Sequence, residues 1–237
     1  MKWNPSPLAL LACLVACPPA GGQDGPHGPR PLKTAEDAAR HVKDVLRVTA
    51  SPAAARAAPG PGLARIPFVA VPSEVWRLTG KSEAVLPKNR NLSGFEVTLD
   101  PASGALVAWQ SVPSDGAATL EPPIPDRAAL EARMAATDSR YVGLVAAPPK
   151  LGVPELLARA AQQGFADLEH AHEVRIKRVM MATRGGAPAP VWVINLRGTR
   201  PVPGKGPAAG LPESERSHLR LVYDEGGTLL FADNLLE

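Results

Sequence analysis

Hydrophobic and polar positions alternate most cleanly between Ser93 and Val112. Phe95, Val97 and Leu99 alternate with Glu96, Thr98 and Asp100, the period of two that marks a strand with one apolar and one wet face. Asp100-Pro101-Ala102-Ser103-Gly104 has turn chemistry: Asp opens the turn, Pro presets φ, and Gly closes in the left-handed region. Leu106, Val107, Ala108 and Trp109 supply the return strand, so the spacing predicts a complete β-hairpin. A second hairpin is predicted near residue 224: Leu219, Leu221 and Tyr223 alternate, Asp224-Glu225-Gly226-Gly227 turns, and Thr228 to Phe231 returns.

Other stretches show helical spacing. Thr34 is placed to cap a helix running to about Val48, with Asp37 in a capping-box position and Ala35, Ala38, Ala39, Val42, Val45 and Leu46 along one side. Glu36 and Arg40 lie four apart on its polar side. Asp126 opens a helix to about Ala136. Pro154 fits the first turn of another over Glu155 to Gln163, with Gly164 as its C-terminal cap. Strands are expected at Phe68 to Val71, Val75 to Leu78, Tyr141 to Val145, Glu173 to Met181 and Val191 to Leu196, the last being the most uniformly apolar. Ser51 to Gly62 reads as a Pro/Ala/Gly linker, Lys81 to Leu92 as a polar loop, and Thr199 to Ser217 as a long Pro/Gly loop.

These elements recur in order. A helix at 34–48 answers one at 154–163. Arg65-Ile66 answers Arg175-Ile176, Val75-Trp76 answers Val191-Trp192, Gly80 answers Gly198, and the hairpin after Phe95 answers the one after Leu219. The expected fold class is therefore α+β, with helices packed on antiparallel sheets in two similar helix-plus-sheet halves. The boundaries are residues 32–113 for the first half, 114–125 for a linker, and 126–237 for the second half.

The run of helix, strands, loop and closing Asp-x-x-x-Gly hairpin resembles the PepSY-like domains of bacterial envelope proteins. The resemblance rests on Val97 to Val107 (VTLDPASGALV) and on Leu221 to Phe231 (LVYDEGGTLLF). It implies binding or peptidase-inhibitory modules with no catalytic set to carry over. A cystatin-like helix-on-sheet fold is the structural alternative.

Composition adds a location. Cys13 and Cys17 are the only cysteines, so no disulfide framework, zinc ribbon or catalytic thiol is available to the rest of the chain. Lys2 followed by the apolar run Leu8 to Ala16 reads as a signal peptide over residues 1–16, too short to span a bilayer. Leu14-Val15-Ala16-Cys17 resembles the lipobox of bacterial lipoproteins, which implies lipidation of Cys17. An ordinary cleaved signal peptide with an incidental cysteine is the alternative. Lipidation would remove an otherwise unpaired thiol, and several acyl chains anchor durably at about 0.8 kcal/mol per buried CH₂. Residues 17–31 then form a flexible tether. The formal net charge of +3 is too small to imply a nucleic-acid partner.

Candidate chemistry is sparse. On one strand, His170 and His172 would share a face and could ligate a metal, with Glu169, Glu173, Met180 and Met181 nearby; a solvated loop is the preferred reading. His41, four residues after Asp37, reads as a surface pair. No Gly-x-Ser-x-Gly, His-Glu-x-x-His or phosphate-binding glycine motif occurs. Arg175, Lys177 and Arg178 form a small basic patch on a predicted strand, read as a solvated sheet face. Trp76, Trp109 and Trp192 read as core rather than ligand groove. The expectation is a non-enzymatic envelope lipoprotein, without cofactor, anchored to the membrane and binding or inhibiting a protein, peptide or polymer partner. An exported hydrolase and a weak metal-binding envelope protein are the alternatives.

Overall fold

The structure is a computed structural model that describes residues 30–60, 63, 69–115, 139–163, 167–183, 186–200 and 215–234. The signal peptide, Cys17 and most of its tether, Arg65-Ile66, and the helix expected at 126–136 lie outside the described residues. Among the described residues the chain is mostly antiparallel sheet with few helices.

Thr34 caps α1 (Ala35–His41) through the capping box foreseen for it, its hydroxyl accepting from the Asp37 amide while the Asp37 carboxylate accepts from the Thr34 amide. The helix continues as a π-helical segment, Val42–Leu46, and Arg47 ends it in the left-handed region. Asp37, rather than Glu36, lies near Arg40, at 3.7 Å on the surface.

Nine strands of the described residues form one sheet. The first meander is β1 (Ser51–Ala57), β2 (Val75–Lys81), β3 (Leu92–Leu99) and β4 (Leu106–Pro113), each antiparallel to the next. After β5 (Ser139–Leu144) come α2 (Val153–Gln162) and the short α3 (Asp167–His170). The second meander is β6 (Ala171–Thr183), β7 (Ala189–Arg200), β8 (Glu215–Asp224) and β9 (Leu229–Asn234). The meanders meet edge to edge through two register pairs, Trp109 opposite Ile176 and Gln110 opposite Arg175. Just beyond, the Val174 amide donates to the buried Ser111 hydroxyl at 2.8 Å, so a side chain satisfies a backbone group where the ladder stops. The outer part of β6 pairs with β5 instead.

Several expectations are corrected. The supposed linker at 51–62 contains β1, paired to β2 through Ser51–Thr79 and Pro52–Leu78. Proline lacks an amide donor, which an edge strand tolerates. Val69 to Val71 is not a strand, although Val69 is buried. The loop expected at 199–217 is shorter, because β7 reaches Arg200 and β8 begins at Glu215. Within the polar loop after β2, Val85, Leu86 and Asn89 are buried. Asn89 Nδ2 donates to the carbonyls of Leu168 and Ala171 at 2.8 and 2.9 Å, tying the first meander to the start of the second.

One face of the sheet is mostly apolar. Trp76, Leu78, Phe95, Val97, Leu99, Trp109, Ile176, Trp192, Ile194, Leu221 and Tyr223 form a single buried cluster with Ala38, Val42 and Leu46 of the first helix and Leu156, Leu157 and Ala160 of α2. Phe95 stacks on Trp109 with ring centroids 5.3 Å apart, a contact that contributes about 1 kcal/mol beyond burial. The three tryptophans are core, as read from sequence.

The other face divides in two. At one end Val75, Val107, Val179, Met181, Val191, Val193 and Val222 make a second apolar cluster with Val69. The rest is polar. The strand at 95–99 was expected to be wet there, yet Thr98 is buried and Glu96 half-buried.

Candidate functional site

Side chains two apart on a strand share a face, and antiparallel register carries that face to the next strand. From Thr79 the register runs to Glu96, Gln110, Arg175, Asn195 and Arg220. This row of polar residues crosses both meanders and passes through their junction. One step along β6 on either side stand Glu173 and Lys177, and beside Asn195 on β7 stands Arg197. Gln110 and Arg175, far apart in the chain, are thereby brought to one strand spacing of about 5 Å.

Glu173, only 6% exposed, is the one carboxylate at the centre of this group. Arg175 contacts it directly through Nε, and Arg197 approaches within 3.9 Å. The Arg175 contact is an ion pair without the alignment of a hydrogen bond, since Arg175 Nε and Glu173 Oε1 each lack a hydrogen-bond partner. Arg220 is buried and lies over the Phe231 ring, 5.8 Å from its centroid.

Lys177 differs from its neighbours. Val193 lies opposite it on β7, and the apolar cluster of Val179 and Val193 begins there. Loss of hydration pushes its ammonium down to about 8, and the like charge of Arg175 adds to the effect. The residue as a whole is half-buried. No carboxylate of the described residues pairs with it. The arrangement offers cationic and amide donors converging on one half-buried patch, the chemistry of an anion site.

The residues singled out from sequence fare differently. Arg175 and Lys177 belong to this patch, but Arg178 points to the opposite face. There it is buried, donates from Nε and Nη2 to Glu225 at 2.7 Å each, donates to the Ala147 carbonyl, and lies over Trp192. The supposed basic patch is thus two cations on one face and a structural ion pair on the other, because successive strand residues alternate. His170 and His172 do not share a strand face, since His170 ends α3 and β6 begins at Ala171. Both are exposed, and no group of three or more His, Cys, Asp or Glu that could hold a metal exists among the described residues. His41 is not a surface partner of Asp37. Its Nε2 lies 2.9 Å from the Gly104 carbonyl, and burial holds its pKa below the ordinary histidine value. Cys17 lies outside the described residues.

Sequence reading named Glu173 only as a possible metal ligand beside His170 and His172, and singled out none of Asn195, Arg197 and Arg220. A local signal existed: Glu173-x-Arg175-x-Lys177 and Asn195-x-Arg197 place polar groups at alternate positions of otherwise buried strands. No helix among the described residues is long and apolar enough to cross a membrane. Compared with protein-family models, curated proteins and solved structures, the chain matches none.

Proposed function

We propose that this chain is an exported, lipid-anchored envelope protein whose body is a non-enzymatic binding module. The observation that carries the reading is the polar row from Glu96 through Gln110, Arg175 and Asn195 to Arg220. A sheet face facing only water needs no such set of half-buried, partly desolvated cations. A face that receives a charged partner does.

The body is proposed to be two similar halves, each a helix followed by a four-stranded meander, with the helices packed on the shared sheet. Register supports the duplication. Trp76 opposes Leu99 one residue before Asp100, and Trp192 opposes Tyr223 one residue before Asp224. Both turns close on a left-handed glycine, Gly104 at φ 72° and Gly227 at φ 80°. A side chain from the helix before each meander, His41 of α1 and Arg159 of α2, lies against that glycine. The same register equates Gly80, opposite Phe95, with Leu196, opposite Leu219, instead of with Gly198. Helix-then-meander order also keeps the PepSY-like resemblance as a proposal for each half.

Anchoring rests on the Leu14 to Cys17 motif. Mass spectrometry of the mature protein is expected to show a chain beginning at acylated Cys17; an unmodified Cys17, or a start elsewhere, contradicts the anchor. Capture from envelope extracts tests the binding role. One component retained in fixed proportion supports it. Retention of nothing, together with substrate turnover by the purified protein, overturns it.

A further inference from the structure

We infer that the patch around Lys177 and Asn195 is a binding site for a phosphoryl group. The inference deepens the binding reading above and rests on it.

Three observations converge. First, β-sheet register gathers Gln110 of β4, Arg175 and Lys177 of β6, Asn195 of β7 and Arg220 of β8 on one face, within a few strand spacings. The chain separates them by up to 110 positions, so only the join between the meanders brings them together. Second, the carboxylate beside Arg175 is already engaged. Glu173 sits against Arg175 and near Arg197, and it does not compensate Lys177. Third, the charge acting on Lys177 is that of Arg175, a second cation two residues away on the same face. Two like charges held together in a poorly hydrated setting raise the free energy of the unliganded fold. An anion seated between them reverses the sign of that interaction.

Charge and shape favour phosphoryl over carboxylate. A carboxylate carries one charge in one plane, and Glu173 already fills that role on this face. A phosphate carries up to two charges and presents oxygens in several directions. The patch offers donors of matching variety: an ammonium from Lys177, a guanidinium from Arg175, and amides from Gln110 and Asn195. Arg175, Lys177, Gln110 and Asn195 are all half-buried, so the patch is neither sealed nor fully hydrated.

The test uses the mature chain and two variants. Asn195→Asp is nearly isosteric and places a carboxylate between Arg175 and Arg220, which preserves the fold while filling the site with charge. Lys177→Met removes the ammonium and keeps the apolar stem. Titration calorimetry with inorganic phosphate in a low-salt, phosphate-free buffer is expected to show saturable binding by the wild type, weakened about tenfold or more in both variants. Flotation with vesicles containing phosphatidic acid distinguishes a lipid headgroup from a free phosphate; capture by either probe, lost in both variants, supports the site. Binding that is unchanged in both folded variants, or displaced equally by acetate, overturns it, as does binding of neither probe. If neither probe binds yet an extract component is retained by the wild type and released by Asn195→Asp, the phosphoryl assignment fails while the binding reading stands.

Discussion

Replacing Lys177 with methionine is expected to stabilise the fold at neutral pH, which is unusual for loss of a charge from a protein surface. The folded ammonium titrates at about 8, against 10.5 for the ordinary side chain, chiefly because it is poorly hydrated and secondarily because Arg175 faces it. At about 1.4 kcal/mol per pH unit, that difference means charged Lys177 costs the folded state about 3 kcal/mol. The sign follows from linkage. Between pH 8 and 10.5 the unfolded chain holds a proton that the folded chain has released, so stability rises with pH in that window. Wild-type stability should climb by about 2 kcal/mol between pH 7 and pH 9.5 from this group alone. Other charges on the same face, among them those of Glu96, Glu173, Arg175, Arg197 and Arg220, are common to both proteins. Tyr223 works in the opposite direction, because burial raises it to about 12 and the stability it supplies is lost as pH rises above 10. Comparing wild type with Lys177→Met at each pH cancels it. Urea denaturation at pH 7 and 9.5, without phosphate, should give a variant more stable by up to about 3 kcal/mol at the lower pH and by about 1 kcal/mol at the higher. A difference that does not change with pH, or a variant less stable at pH 7, would refute the reasoning.

Other expectations are simpler. Gly104→Ala and Gly227→Ala each force a left-handed residue and drive a Cβ to within 2.8 Å of the His41 ring or 2.6 Å of Arg159; each should lose about 2 kcal/mol or more by urea denaturation, and an effect at one position alone would weaken the duplication argument. Arg178→Met leaves the Glu225 carboxylate mostly buried and unpaired, with side-chain exposures of 4% and 12% for the pair, and should cost about 3 kcal/mol. Adding Glu225→Gln should recover part of that loss in a double-mutant cycle. His41 has a folded pKa below 6.5, mainly from burial, so its contribution is present above 6.5 and is lost as pH falls from there through the folded value. His41→Gln should therefore flatten the acid limb of the stability profile measured by thermal unfolding, and an unchanged limb would contradict the assignment.

What the sequence revealed and what it concealed divide along the range of the interactions. Both hairpins are written locally: alternation of Phe95, Val97 and Leu99 or of Leu219, Leu221 and Tyr223, an aspartate, and a glycine that ends in the left-handed region. The Thr34–Asp37 capping box and the first turn at Pro154 are equally local. β1 was hidden because Ser51–Ala57 carries mostly small, exposed side chains and a proline. Its strand character comes from backbone pairing with β2, which leaves no period in the sequence. The polar row was hidden for a different reason. Gln110, Arg175, Asn195 and Arg220 are unremarkable one at a time, and only the register of four strands and the Gln110–Arg175 join align them. Arg178 misled, because three basic residues within four positions look like one patch until strand alternation splits them. Asn89 shows the same limit on a smaller scale, since one amide in a polar loop gives no hint that it holds the carbonyls of Leu168 and Ala171.

The proposed binding surface is the polar sheet face crossing the two meanders. Side-by-side capture from envelope extract with mature wild-type protein and folded Asn195→Asp tests it most directly, with bound components eluted by a rising salt gradient. One component retained by the wild type, eluted by moderate salt and absent from the variant is the expected result. Equal retention of that component by both proteins would contradict it.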